Sequence, residues 1–66
     1  MANYYDVLQV STKASSAVID RAWRVLIAEN HPDKGGDPAK ALQLNEAHEV
    51  LLDAQTRAAY DRENGF

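Results

Sequence analysis

The 66-residue chain contains no cysteine, so neither a disulfide nor a thiolate metal site can stabilise its fold. It also lacks an apolar run of about eighteen residues, and its opening, MANYYDVLQV, has no basic stretch of the kind that begins a signal peptide. Basic residues are scarce as well, because seven Lys and Arg stand against ten Asp and Glu, a net charge of −3. We therefore expect one small cytoplasmic domain that binds neither membranes nor nucleic acid.

Breaks in the hydrophobic pattern divide the chain into helices. The apolar periodicity is interrupted at three places, QVSTKAS, HPDKGGD and LDAQT. Ser15 or Ser16 can cap one helix, and Asp37, followed by Pro38, can cap another. Two amphipathic helices joined by a short loop predict an antiparallel helical hairpin. The predicted fold is all-α, with helices at about 5–9, 16–29, 38–52 and 54–63 and a loop at 30–37.

The expected core follows from the same periodicity. The first long helix carries an apolar stripe, and the second long helix carries another. Residues of the opening segment are expected to close one end of the hairpin. The three sets are, in order, Ile19, Ala22, Trp23 and Leu26; Ala41, Leu44, Ala47, His48 and Leu51; and Tyr5, Leu8 and Val10.

The loop NHPDKGGD combines residues suited to presenting side chains to another protein. Pro32 fixes its own φ and pushes His31 out of the helical region, so less conformational entropy is lost on docking. The Asp33 carboxylate can accept two parallel hydrogen bonds from an arginine, and His31 offers one donor and one acceptor. Lys34 adds a positive charge, and Gly35-Gly36 allow the chain to reverse. The residues alone also fit a plain turn in which His31 and Asp33 only cap helix ends.

Other kinds of site do not fit the spacing of these residues. A calcium loop requires oxygen ligands at alternate positions, whereas Gly35, Asp37 and Pro38 follow Asp33. His31 and His48 lie on different elements, without the HExxH pattern of a zinc site. No serine is linked to a histidine–carboxylate pair. We therefore predict no catalytic residue, no metal and no cofactor.

Three segments of the chain resemble, in order and spacing, those of the J-domain, the DnaJ-type co-chaperone module. They are NYYDVLQV, AWRVLIAENHPDKGGD and LNEAHEVLLDAQTRAAYD. The resemblance covers the chain from Tyr4 to about Asp61. It implies a monomeric domain that is not an enzyme. Such a domain docks on a DnaK-type heat-shock 70 kDa chaperone and stimulates ATP hydrolysis by that partner. The implied docking residues are His31, Pro32, Asp33, Lys34, Arg21 and Arg24.

The helix before the loop departs from the family pattern. Asp20, Val25 and Glu29 occupy positions that are commonly Lys or Arg in the family, where a basic face matches an acidic patch on the chaperone. Asp20 also precedes Arg24 by four residues and can pair with it, which would partly occupy the arginine. These departures favour a weak or selective interaction. They leave open an alternative function, a non-activating J-like adaptor that serves as a scaffold for a protein assembly.

Further departures concern packing. Trp23 is expected to pack on the opening segment or to half-cover the hairpin, and His48 to be a packed ring with one hydrogen-bonded nitrogen. Gln9 replaces a frequent glycine, which costs about 1 kcal/mol if the backbone there is left-handed. Ala41 stands where a larger residue is common, so Leu42 or Leu44 would have to fill that volume. By resemblance, the final motif QTRAAYD holds the last helix against the hairpin through Arg57, Tyr60 and Asp61.

Overall fold

A computed structural model describes residues 2–66 and contains only helices and turns in that range, so the all-α prediction is confirmed. Asp20 contacts His48, whereas Trp23, further along the same helix, contacts Asn45. The contacted residue has a lower number when the contacting residue has a higher one, so the two long helices run antiparallel. The elements are α1 (Tyr4–Val7), α2 (Ser16–Glu29), a 3₁₀ turn (Pro32–Lys34), α3 (Pro38–Leu52) and α4 (Ala54–Asn64).

Side-chain caps fix where the helices begin. The Ser15 hydroxyl accepts a hydrogen bond from the Val18 backbone N–H at 3.3 Å, so Ser15 rather than Ser16 caps α2. Asp37 caps α3, as predicted, and Asp53 caps α4 in the same way. Each cap satisfies an N–H group that has no partner inside its helix. At the other end of α4, Gly65 adopts a left-handed conformation with φ of 75°.

The core lies where α1 and α2 pack on α3. Of the two residues expected to fill the volume beside Ala41, Leu44 is fully buried, whereas Leu42 is 61% exposed and therefore not part of the core. The predicted apolar stripes of α2 and α3 both face this core, although Ala22, Trp23, Ala41 and His48 are only partly buried. The buried core residues are Tyr5, Leu8, Ile19, Leu26, Leu44, Ala47 and Leu51.

The first helix differs from its predicted range of 5–9, since it begins at Tyr4 and ends at Val7. It begins early because the Asn3 side chain accepts a hydrogen bond from the Asp6 N–H at 2.8 Å and so caps it. It ends early because Gln9 has φ of 57°, a left-handed conformation that a right-handed helix cannot contain. The backbone at Gln9 is thus left-handed, which is the condition under which the sequence predicted a cost of about 1 kcal/mol.

The last helix packs on α3 and also forms hydrogen bonds with α1. Arg57 donates from Nε to the Tyr5 hydroxyl at 3.0 Å, and that hydroxyl donates to the Asp61 carboxylate. The Tyr60 hydroxyl accepts from the Tyr4 backbone N–H at 2.9 Å. The last helix packs on α3 of the hairpin, as predicted, but these hydrogen bonds join it to α1. Both α1 and α4 pack on α3, and this brings the polar side chains of α4 to α1.

No helix within residues 2–66 is long and apolar enough to cross a bilayer.

Candidate functional site

The loop between α2 and α3 is held together by its own backbone. The His31 carbonyl accepts hydrogen bonds from the Lys34 N–H at 2.9 Å and the Gly36 N–H at 3.0 Å. The Pro32 carbonyl accepts from the Gly35 N–H at 3.0 Å. Pro32 occupies the first position of the 3₁₀ turn, where an N–H would have no helical partner. The turn is therefore closed without any contribution from the Asp33 or Lys34 side chain.

The two glycines of the loop have different roles. Gly35 has φ of 79°, a left-handed conformation that ends the 3₁₀ turn. Gly36 lies against the end of α2, where an added Cβ would come within 2.1 Å of the Asn30 carbonyl oxygen. The chain reversal predicted from the pair is present. The close approach at Gly36 was not predictable from composition, because it depends on how the loop folds back on Asn30.

His31 caps the turn through its imidazole ring. Its Nδ1 accepts a hydrogen bond from the Asp33 backbone N–H at 3.2 Å. In the neutral ring this acceptor role assigns the proton to Nε2, which leaves one N–H donor directed away from the cap. Because half of the side chain is exposed (51%), a partner can reach that donor. The capping role and an outward donor are therefore compatible in one residue.

The Asp33 carboxylate is the most available acceptor of the loop. Its side chain is 90% exposed, and its Oδ2 lies 3.6 Å from His31 Nδ1, which is too far for a hydrogen bond. The adjacent Lys34 is exposed as well. Asp33 therefore does not cap a helix through its side chain, in contrast to Asp37 and Asp53.

The predicted pair on α2 is present and extends to α3. Asp20 accepts from Arg24 Nε at 2.8 Å through Oδ2, and its Oδ1 lies 2.9 Å from His48 Nε2. The His48 hydrogen bond, followed by the one from Arg24, lowers the pKa of the Asp20 carboxyl below its usual 3.8. The predicted hydrogen-bonded His48 ring is confirmed. Its partner was not predicted, because the two residues meet only through the register of the hairpin.

Trp23 covers the same side of the hairpin. Its ring stacks on His48 with centroids 4.0 Å apart and planes inclined by 20°. Its indole N–H donates to the Asn45 side-chain oxygen at 3.0 Å. These contacts agree with the prediction that Trp23 half-covers the hairpin, and they join it to α3 rather than to the opening segment.

An apolar groove lies beside Arg21 on α2. Arg21 is exposed, and Val18 and Val25 next to it are 51% and 54% exposed. Leu8 and Val10 form the opposite wall of the groove. Of the three α2 residues, Arg21 and Val25 were singled out in the sequence, whereas Val18 was not. Val18 could have been recognised in the sequence as a large apolar side chain that lies outside the apolar stripe of α2.

Within residues 2–66, no group of three or more His, Asp or Glu side chains is arranged to hold a metal ion.

The chain is similar to a known protein family. The family model described as the DnaJ domain matches residues 3–61 of the chain. The chain belongs to the DnaJ-domain family. The matched range includes α1, α2, the loop, α3 and most of α4, so the J-domain assignment made from the motifs is confirmed.

Curated relatives carry the same domain in much longer proteins. A DnaJ protein homolog of Cucumis sativus is 48% identical over 59 residues, which are 89% of this chain and 14% of the relative. A tetratricopeptide repeat and J domain-containing co-chaperone of Mycosarcoma maydis is 48% identical over 60 residues, 91% of this chain and 10% of the relative. The chaperone protein DnaJ of Limosilactobacillus reuteri is 48% identical over 63 residues, 91% of this chain and 16% of the relative. The chain thus spans less than a fifth of these relatives.

Proposed function

We propose that this J-domain docks on a DnaK-type heat-shock 70 kDa chaperone and stimulates its ATP hydrolysis. One observation carries the proposal. The Asp33 carboxylate projects, 90% exposed, from a turn whose backbone hydrogen bonds are already satisfied. A prearranged and accessible carboxylate loses little entropy when it binds a cationic group.

Each loop residue has a chemical role in this proposal. Asp33 accepts two hydrogen bonds from a guanidinium group of the chaperone, and the Nε2–H of His31 donates to a nearby acceptor. Pro32 keeps the turn in one conformation. Lys34, Arg21 and Arg24 contribute positive charge that attracts acidic groups and speeds encounter.

In this mechanism the nucleotide and the catalytic groups belong to the chaperone. The domain accelerates hydrolysis because it binds the hydrolysis-competent arrangement of its partner more tightly than the resting one. Such an activator is not itself an enzyme and requires no cofactor. A monomer in the cytoplasm remains the expectation for the domain.

A second candidate function is a non-activating adaptor within a protein assembly. The observation that favours it is the charge balance of α2, where Asp20 pairs with Arg24 and reduces the positive charge offered to an acidic partner. An adaptor would bind through the helical hairpin and would not change the rate of ATP hydrolysis.

Single-turnover ATP hydrolysis by a DnaK-type chaperone, measured with and without the domain, separates the two functions. We expect the wild-type domain to accelerate hydrolysis and Asp33→Asn to abolish most of that acceleration. Glu49→Gln is the matched control, because it removes one exposed carboxylate from α3 and leaves the loop unchanged. Equal acceleration by the wild type and Asp33→Asn would disprove the role of Asp33. Binding of the wild type without acceleration would favour the adaptor.

A further inference from the structure

The Asp20 carboxylate joins α2 to α3 and Arg24. Its Oδ1 lies 2.9 Å from His48 Nε2, and its Oδ2 accepts from Arg24 Nε at 2.8 Å. His48 is itself fixed by the stacked Trp23 ring, which is hydrogen-bonded to α3. The arginine is therefore attached to a rigid part of the hairpin through a connected series of side chains.

This attachment uses only one edge of the guanidinium group. Asp20 binds Nε, and no hydrogen bond or salt bridge within residues 2–66 uses either Nη of Arg24. The side chain remains 70% exposed. A guanidinium group held at Nε still offers its two terminal nitrogens as a pair, which matches the two oxygens of a carboxylate.

We propose that Asp20 and His48 are positioning residues that hold Arg24 with both Nη groups directed toward a carboxylate of the partner. The inference deepens the proposed docking function and rests on it. Arginine loses considerable rotamer entropy when it is fixed, and here part of that loss has occurred before docking. His48 acts from α3, through Asp20, without contact with the partner.

Asp20 also has an opposing effect on docking. Its negative charge weakens the attraction of α2 for acidic groups, and removing it raises the net charge by one. A substitution of Asp20 therefore has two opposing effects on the affinity for the partner, because it removes both the positioning of Arg24 and a negative charge. Glu29 provides the matched control. It is an exposed carboxylate on the same helix and forms no salt bridge within the described residues.

The first test compares affinities for an ATP-bound DnaK-type chaperone at fixed salt. Asp20→Ala and Glu29→Ala make the same change in net charge, so simple electrostatics predicts the same gain in affinity for both. Positioning predicts that Asp20→Ala binds about two-fold more weakly than Glu29→Ala, the effect expected of one i,i+4 pair. In an Arg24→Gln background the difference should disappear. A difference that persists without the arginine would overturn the inference.

The second test changes no formal charge. His48→Phe retains a ring that can stack on Trp23 but has no donor for Asp20, whereas His48→Gln retains a donor. We expect His48→Phe to raise the dissociation constant about two-fold and His48→Gln to restore it, with the maximal stimulated rate unchanged in both. Thermal unfolding of each variant shows whether the fold is intact. Equal affinity of His48→Phe and the wild type would refute the role of His48.

A third readout does not require the partner. The Arg24 Nε–H should exchange slowly with water in the wild type and in His48→Gln, and faster in His48→Phe, as followed by its ¹⁵N-correlated NMR signal. Uniformly fast exchange would show that Arg24 is not held, and uniformly slow exchange would show that His48 is not needed to hold it; either result would overturn the inference. If the domain binds the chaperone without stimulating ATP hydrolysis, the proposed activation is wrong, but the measured affinities still test the positioning of Arg24. Absence of binding would remove both.

Discussion

Gly36 lies directly against the backbone of Asn30, so an added Cβ would be 2.1 Å from the Asn30 carbonyl oxygen and 2.7 Å from its Cα. Because these are backbone atoms at the end of α2, no side-chain rotation can relieve the overlap. Gly36→Ala should therefore displace the loop and lower the free energy of unfolding by about 1–3 kcal/mol, as overpacking does elsewhere. Urea denaturation measures this change. Gly35→Ala meets no atom within 4 Å and should cost only about 1 kcal/mol, from its positive φ. Equal losses from both variants would contradict the close approach.

Gln9 is the one non-glycine residue with positive φ within residues 2–66. Gln9→Gly should raise the free energy of unfolding by about 0.5–1 kcal/mol, because glycine adopts this conformation without strain, although it gains freedom in the unfolded chain. The control is Gln43→Gly, in the middle of α3, which should lose about 1 kcal/mol. Thermal or urea unfolding tests both. A loss of stability in Gln9→Gly would show that the left-handed backbone carries no strain.

The Tyr5 hydroxyl is central to the attachment of α4, since it bonds to both Arg57 and Asp61. Tyr5→Phe retains the buried ring but leaves both partners without that contact, so we expect a loss of about 1–3 kcal/mol. Tyr60→Phe removes only the acceptor for the Tyr4 N–H and should cost about 0.5–1.5 kcal/mol. Urea denaturation of both variants gives the comparison. A neutral Tyr5→Phe would mean that the hydrogen bonds of this hydroxyl do not stabilise the attachment of α4.

Alkaline solution should weaken the same attachment. Burial, and then the hydrogen bond to Asp61, raise the pKa of Tyr5 above its usual 10.0, and Arg57 opposes this shift. A raised folded-state pKa means that the stabilisation is complete below the unfolded-state value and is lost as pH rises through the folded-state value. Unfolding midpoints recorded from about pH 8 upward should therefore fall above about pH 10. Tyr5→Phe should fall less steeply, and parallel curves for the two proteins would assign the loss to other groups.

Local patterns were enough to predict much of this fold. The caps at Ser15 and Asp37 and the bounds 16–29 and 38–52 depend on residues a few positions apart, and the structure has its long helices at Ser16–Glu29 and Pro38–Leu52. The pair Asp20–Arg24 likewise follows from helical spacing alone. The end predicted for α1, about residue 9, is late because a left-handed residue, Gln9, stops the helix. The replaced glycine marked that position, but glutamine alone does not indicate a left-handed backbone.

Contacts between distant residues could not be predicted in the same way. The meeting of Asp20 with His48 depends on the register of α2 against α3, and the contact of Gly36 with Asn30 depends on the path of the loop. The hydrogen bond from Arg57 to Tyr5 of α1 could not be predicted for the same reason, since the position of α1 beside α4 follows from the whole fold. The sequence identified the residue types of the site, and the tertiary arrangement determines which of them are connected.

The self-contained backbone of the loop has a consequence for how the domain can evolve. Folding of the turn uses the main chain and the His31 ring, while the Asp33 side chain makes no hydrogen bond within residues 2–66. Substitution at position 33 should therefore be nearly silent for the isolated domain. Any selection that retains aspartate there must come from outside the chain. Folding of the loop thus depends on its main chain and the His31 ring, and it places little constraint on the side chain at position 33.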